Sequence, residues 1–314
     1  MASSRRLLRS NMEEVLFALW VVAIVGPLAW AWYHKASIAM AMTLSLLFGY
    51  IVQMIWGFVL GKYSIEWWEL NLRVVMVPAF VEDGHFHTLI TSGFAHSWND
   101  PLHVLGNIII IALVGIPLEE RLGRGRWLVS YMIGLLGGSI AWTLANGGSY
   151  SPALGASGAA FGILGAYLCG WPEDEVYFPL ILIRKWPVQF IAMFYFGFEI
   201  FKAWQVYGLS EVSHVAHIAH FGGFILAYAT LPILKKGIDW EGEVELGDMS
   251  QENPFDGVDE LVKKLLEEGD EKETRQAWLE EISERAKCPI CGDNLHLKKM
   301  KIKCNSDSSH VAWP

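Results

Sequence analysis

Three apolar stretches of this chain carry polar side chains whose types suit acyl transfer. Ser157 sits in Gly155-Ala156-Ser157-Gly158, ahead of an apolar run from Ala159 to Leu168 that reads as a membrane helix. His103 and Asn107 share a second run, and His214, His217 and His220 cluster in a third. Polar groups at bilayer depth are expensive and usually functional. A hydroxyl nucleophile, an imidazole base and two hydrogen-bond donors on separate helices predict a serine hydrolase built inside a membrane.

Each group has a definite chemical part. Ser157 follows the turn-forming Asn146-Gly147-Gly148-Ser149 and Pro152, so it begins a helix. A helix N-terminus presents unpaired N–H groups and the positive end of the dipole, which suits a developing oxyanion. Gly155 and Gly158 let a substrate backbone and a neighbouring helix come close. Gly158, Gly162 and Gly165 repeat a small-residue spacing that favours tight helix contact. The second glycine follows the serine directly, so this is not the G-x-S-x-G elbow of soluble hydrolases. The plainer alternative is a serine bonded to its own helix backbone.

The base is one of three histidines. His217 and His220 lie about 60° apart on a helix, so both can face inward. His220 has Gly223 one turn on and Ala227 two turns on, a smooth face for packing against the serine helix. That favours His220 over His217. His103 and Asn107 stand one turn apart on one face and can both donate hydrogen bonds. With the Ser157 N–H they would cradle an oxyanion; interhelical glue is the alternative.

These side chains need helices to hold them. The chain has 314 residues, 53% hydrophobic, with charge sparse up to about residue 236 and dense beyond it. The net charge of −9 comes largely from the tail, and no uniformly basic surface supports nucleic-acid binding. A spanning helix needs roughly 20 apolar residues. Spans are predicted at about 14–34, 38–60, 104–118, 127–146, 157–171, 187–206 and 214–234. The first contains Glu13, Glu14 and Pro27, and lacks a signal-peptide cleavage site. Arg121, Arg124 and Arg126, then Arg184 and Lys185, then Lys235 and Lys236 fall on one side, which the positive-inside rule makes cytoplasmic. Arg5, Arg6 and Arg9 oppose that bias if the first span crosses. Residues 61–102 form a long aromatic loop expected at the interface, with His85, His87 and His96 as interfacial residues. Glu199 and Lys202, one turn apart, are expected to pair with each other.

As a set, these residues resemble rhomboid intramembrane serine proteases. The matching elements are His103-x-x-x-Asn107, Leu118-Glu119-Glu120-Arg121-Leu122-Gly123, Gly155-Ala156-Ser157-Gly158 and Ala219-His220-x-x-Gly223, within residues 38–235. The resemblance implies an all-α polytopic membrane protein: a six-helix bundle over 38–236, plus an extra N-terminal helix within 1–37. It implies Ser157 as nucleophile, His220 as base, no acidic third member, and an oxyanion hole of His103, Asn107 and the Ser157 N–H. Gly155, Gly158, Phe161 and Gly223 would pack the site. Phe194–Phe198 would flank lateral substrate entry, and Glu119 and Arg121 would be structural. Substrates would be transmembrane segments of proteins in the lipid bilayer, cut without a cofactor. Phe161 stands where many members have tyrosine, and Ala227 replaces a frequent glycine. A proteolytically inactive relative that binds membrane clients is the alternative. A proton or ion transporter is disfavoured, because the apolar spans lack the acidic partners of a relay.

The tail is expected as an acidic linker and helix, 237–286, and a small cytoplasmic module, 287–314. Cys288-Pro-Ile-Cys291-Gly opens like a zinc knuckle, Cys304 follows, and His310 is the expected fourth ligand, with His296 the weaker choice. Three thiolates and an imidazole suit a tetrahedral structural zinc. Cys169 is expected to be a buried packer.

Overall fold

A computed structural model describes residues 2–179, 183–209, 216–236, 253–269, 272–298 and 300–313. They divide into two compact units, 1–236 and 237–314. The first is mostly helical. Five of its helical segments are long and apolar enough to cross a membrane: Asn11–Tyr33, Ile38–Leu60, Pro101–Leu122, Arg124–Ala145 and His217–Leu234.

The first span belongs to α1 (Ala2–Tyr33) and the second is α2 (Ile38–Leu60). They pack antiparallel. Trp56 Nε1 donates to the Leu16 carbonyl at 3.2 Å, and Ser45 Oγ donates to the Ile24 carbonyl at 2.7 Å. Pro27 has no N–H for the Ala23 carbonyl one turn back, and Ser45 binds the adjacent Ile24 carbonyl from α2, so this part of α1 is supported by its neighbour. Glu119 caps α2 from across the bundle: its carboxylate accepts from Ser37 Oγ at 2.6 Å and from the Ile38 and Ala39 N–H groups at 2.8 Å.

The long loop is folded rather than open. It contains α3 (Ile65–Leu72), α4 (Pro78–Glu82) and α5 (Thr88–Thr91), and it buries Leu70, Val74 and Met76. Met76 and Ala153 exchange backbone hydrogen bonds, and the Gly155 N–H donates to the Ser92 carbonyl at 2.9 Å. The loop before Ser157 is thereby tied down.

The third span is two helices, α6 (Pro101–Leu113) and α7 (Gly115–Leu122), and α8 (Arg124–Ala145) follows. Helix α9 (Ser157–Gly170) has 14 residues and buries every side from Gly158 to Tyr167. At 1.5 Å per residue it is only about 21 Å long, so it sits among helices rather than spanning lipid alone. Helices α10 (Val188–Leu209) and α11 (His217–Leu234) complete the unit. His214 lies outside the described residues.

Glycines set the spacing of α8, α9 and α11. A Cβ on Gly223 would stand 2.0 Å from the Gly158 carbonyl oxygen, and one on Gly162 would stand 2.6 Å from Gly134 Cα. Backbones therefore touch where side chains would normally intervene, which is how apolar helices associate without a hydrophobic drive.

Arg121, Arg124, Arg126 and Lys235 lie at one end of this unit, whereas Lys62 and Arg73 belong to the long-loop side. Arg121 grips Asp174 through two hydrogen bonds of 2.7 Å, and Tyr167 Oη donates to the same carboxylate at 3.0 Å. Arg124 donates to the Ala31 and Trp32 carbonyls, and Lys235 to the Gly170 carbonyl. The expectation of an all-α chain needs correction here. Strands β1 (Glu175–Pro179) and β2 (Ile183–Pro187) form an antiparallel hairpin between α9 and α10. Val176 and Phe178 are buried while Glu175 and Tyr177 are exposed, the alternation of a half-buried strand.

The second unit has α12 (Asp259–Glu268), α13 (Lys272–Arg285) and a three-stranded antiparallel sheet of β3 (Leu295–Lys298), β4 (Lys301–Cys304) and β5 (Ala312–Trp313). Leu265, Leu279, Ile282, Ile302 and Trp313 form its core.

Candidate active site

Ser157 is the first residue of α9, and the residue before it, Ala156, makes no side-chain cap. The opening N–H groups of the helix are thus left without a side-chain acceptor, the condition an anion site needs. Gly155 approaches in a left-handed conformation, φ +114°, and a Cβ there would meet the His103 ring at 2.5 Å. Only glycine lets the chain pass beneath that imidazole. A cavity of about 30 Å³ lies beside Ser157, lined by Met76, Ser92, Ser139, Gly155, Gly158 and Ala219 among others.

His220 lies in α11, one turn before Gly223, whose Cα faces Gly158. Phe161 stacks on the His220 ring, with centroids 4.5 Å apart and planes 9° from parallel. A ring held on one face keeps its nitrogens in a fixed plane, which positions a general base. Phe161 is one turn after Ser157 on α9, so the same two helices present both groups.

His103 is half-buried and Asn107 is buried on α6. Asn107 Nδ2 donates to His96 Nε2 at 3.0 Å, and the Ala156 N–H donates to the same nitrogen at 3.3 Å. His96 is buried, contrary to its expected interfacial place. Burial, with the nearby His103 ring adding to it, pulls its pKa down to about 3, so the ring is neutral and can accept. His96 thus orients both the Asn107 amide and the backbone entering Ser157. Sequence reading missed it, because a histidine in an aromatic loop carries no mark of burial.

The expected Glu199–Lys202 pair is also corrected. Glu199 is buried at 7% exposure, with Oε2 2.6 Å from His217 Nδ1 and 3.0 Å from His220 Nδ1. Lys202 Nζ instead lies over the Phe198 ring, 5.6 Å from its centroid. The side chains of Phe194 and Phe198 are exposed on α10. His85 and His87 are exposed, each hydrogen-bonded to a loop carbonyl.

The tail holds a second cluster. One ligand atom from each of Cys288, Cys291, Cys304 and His310 lies within 4.8 Å of all the others. Cys291 Sγ and Cys304 Sγ are 3.4 Å apart, and Cys288 Sγ is 3.9 Å from His310 Nδ1. Tetrahedral zinc with 2.3 Å bonds needs about 3.8 Å between sulfurs, so the donor set fits a structural zinc. Burial opposes the Cys288 thiolate, but the N–H groups of Cys291 and Ile290, together with the Cys291 and Cys304 thiols, bring the pKa down to about 6. His296 is spent elsewhere, 2.6 Å from Asn305 Oδ1. Cys169 is half-buried.

Comparisons agree with the fold. Residues 83–237 match the Rhomboid domain family. RHOMBOID-like protein 5 of Arabidopsis thaliana is 38% identical over 88 residues, 28% of each chain. RHOMBOID-like protein 12, mitochondrial, from the same plant is 26% identical over 161 residues, 46% of each chain. Rhomboid-like protein 17, chloroplastic, also from that plant, is 29% identical over 148 residues, 41% of this chain and 46% of the relative. The matched stretch spans less than half the length of each of these relatives. With its apolar spans and its Cys/His cluster consistent with a zinc-binding module, the chain is a multi-pass membrane protein that carries a Rhomboid domain over residues 83–237.

Proposed function

We propose that the protein is an intramembrane serine endopeptidase that cleaves transmembrane segments of other membrane proteins. Ser157 is the nucleophile and His220 its general base, while the Ser157 N–H, His103 and Asn107 hold the oxyanion. The carrying observation is the pairing of α9 and α11: Ser157 opens an uncapped helix, and Phe161, one turn on, stacks on His220. A catalytic core over 38–236 has α2, α6–α7, α8, α9, α10 and α11 as its six helical passes, with α1 added at its N-terminal side. Gly155, Gly158, Phe161 and Gly223 shape the site, and α10 flanks the lipid-side entry. The basic end faces the cytoplasm by the positive-inside rule, which places the zinc-holding module 287–314 there.

The test is reconstitution into liposomes with a panel of single-span membrane proteins. Cleavage by the wild type and none by Ser157→Ala is the expected result. Substantial turnover by Ser157→Ala would overturn the assignment. Client capture without cleavage by the wild type would show an inactive relative.

A further inference from the structure

The buried Glu199 has no part in the chemistry described so far. It sits near the middle of α10, at 7% exposure, and among the described residues its carboxylate meets two imidazoles: His217 Nδ1 at 2.6 Å and His220 Nδ1 at 3.0 Å. An ionised carboxylate at that depth is tolerated only when paired. The one cation on its own helix turn, Lys202, is turned onto Phe198. The His220 contact is a 3.0 Å approach without a formed hydrogen bond, while His217 Nδ1 is hydrogen-bonded to the carboxylate. Catalytic hydrogen bonds in an unliganded site are often misaligned and tighten with substrate.

We propose that Glu199 is a positioning residue for His220, making a Ser157–His220–Glu199 triad in place of a two-residue dyad. This rests on the reading of Ser157 and His220 as nucleophile and base. Oε2 on the Nδ1 side fixes the tautomer with the proton on Nδ1, leaving the Nε2 lone pair for the serine. As Ser157 Oγ bonds to the scissile carbonyl carbon, its proton moves to Nε2 and the ring becomes an imidazolium. The Glu199 carboxylate, itself never protonated, stabilises that cation. The proton then passes to the leaving amide nitrogen as the C–N bond breaks. Water attacks the acyl group, gives its proton to Nε2, and Ser157 leaves with it. His217, hydrogen-bonded to the same oxygen, holds the carboxylate in place. Phe161 fixes the face of the ring and Glu199 its rotation, two constraints from different helices.

The test uses full-length detergent-solubilised protein and a fluorophosphonate probe, with labelling resolved into probe affinity and inactivation rate. Glu199→Gln keeps the shape and removes the charge. It is expected to slow inactivation by roughly 10²–10⁴-fold at unchanged probe affinity and melting temperature, with partial rescue by Glu199→Asp. Inactivation within threefold of wild type in folded Glu199→Gln would overturn the triad while leaving Ser157 and His220 in place. Absence of labelling in the wild type would remove the protease reading itself, and the triad with it. Wild-type labelling that requires a chelator, with Glu199→Gln needing none, would assign the trio to a bound cation and overturn the proposal. A second readout does not depend on turnover: ¹⁵N spectra of histidine-labelled Ser157→Ala should show neutral His220 protonated at Nδ1. The Nε2–H tautomer would contradict it.

Discussion

At the scale of single residues, the protein works by removing polar groups from competition. Asn107 is held by His96, and His220 is held by Phe161 on its face and Glu199 at its edge. His220→Ala is therefore expected to abolish fluorophosphonate labelling, while His217→Ala, which keeps the base, slows it far less. The reverse order would move the base by one turn. His96 gives a pH prediction. Its folded pKa of about 3 lies below the ordinary 6.5, so the unfolded chain binds the extra proton. Stability from this group is complete above pH 6.5 and is lost as pH falls from there toward 3, by at most about 1.4 kcal/mol per unit. Thermal melts across that range should decline with acid, and His96→Gln should flatten the decline. An unchanged slope would contradict a buried neutral ring. Ser157 and the inward histidines were legible because polar residues stand out in apolar runs. Glu199 was misread because Lys202, three residues on, offered a local partner, and tertiary packing chose two imidazoles on another helix.

At the scale of elements, helix contact depends on absent side chains and on caps supplied from afar. Gly223→Val places methyl groups where the Gly158 carbonyl oxygen already lies 2.0 Å from a single Cβ. It is expected to force α9 and α11 apart and to remove both stability and labelling, while Gly106→Ala, facing open space, changes neither. Equal behaviour of the two variants would refute the close packing. Glu119→Ala leaves the Ile38 and Ala39 N–H groups and the Ser37 hydroxyl without this acceptor, and melting should reveal a loss of about 1–3 kcal/mol; no change would show that solvent replaces the cap. Five of the seven expected spans coincide, to within a few residues, with helices long and apolar enough to cross a membrane, because hydropathy reports them directly; α9 is too short, and α10 is not among the five. The β1–β2 hairpin was not readable, since prolines and charges around Val176 and Phe178 imitate a loop. The break at Val114 between α6 and α7 falls just before Gly115 and Pro117, and Pro117 has no N–H for the Leu113 carbonyl, a signal the hydropathy reading passed over.

At the scale of the whole molecule, two compact units follow two different stabilising principles. The membrane unit relies on backbone contact and internally satisfied polar groups. The small tail unit adds a Cys/His cluster to a modest core, as small domains commonly require. Metal analysis of purified protein should find one zinc per chain, lost in Cys291→Ser. Chelation should unfold the tail, seen as new protease sensitivity beyond residue 237, without changing labelling at Ser157. Zinc absent from wild type would refute the metal assignment. The knuckle was legible from Cys288-Pro-Ile-Cys291-Gly, and the expected preference for His310 over His296 agrees with the cluster, because His296 is turned to Asn305.

The protease reading requires that His220 activate Ser157 within the membrane unit. Its most direct measurement is fluorophosphonate labelling of the solubilised full chain beside Ser157→Ala and His220→Ala. Covalent labelling of wild type at Ser157, absent from both variants, is the predicted result. No labelling of folded wild-type protein, or equal labelling of His220→Ala, would contradict it.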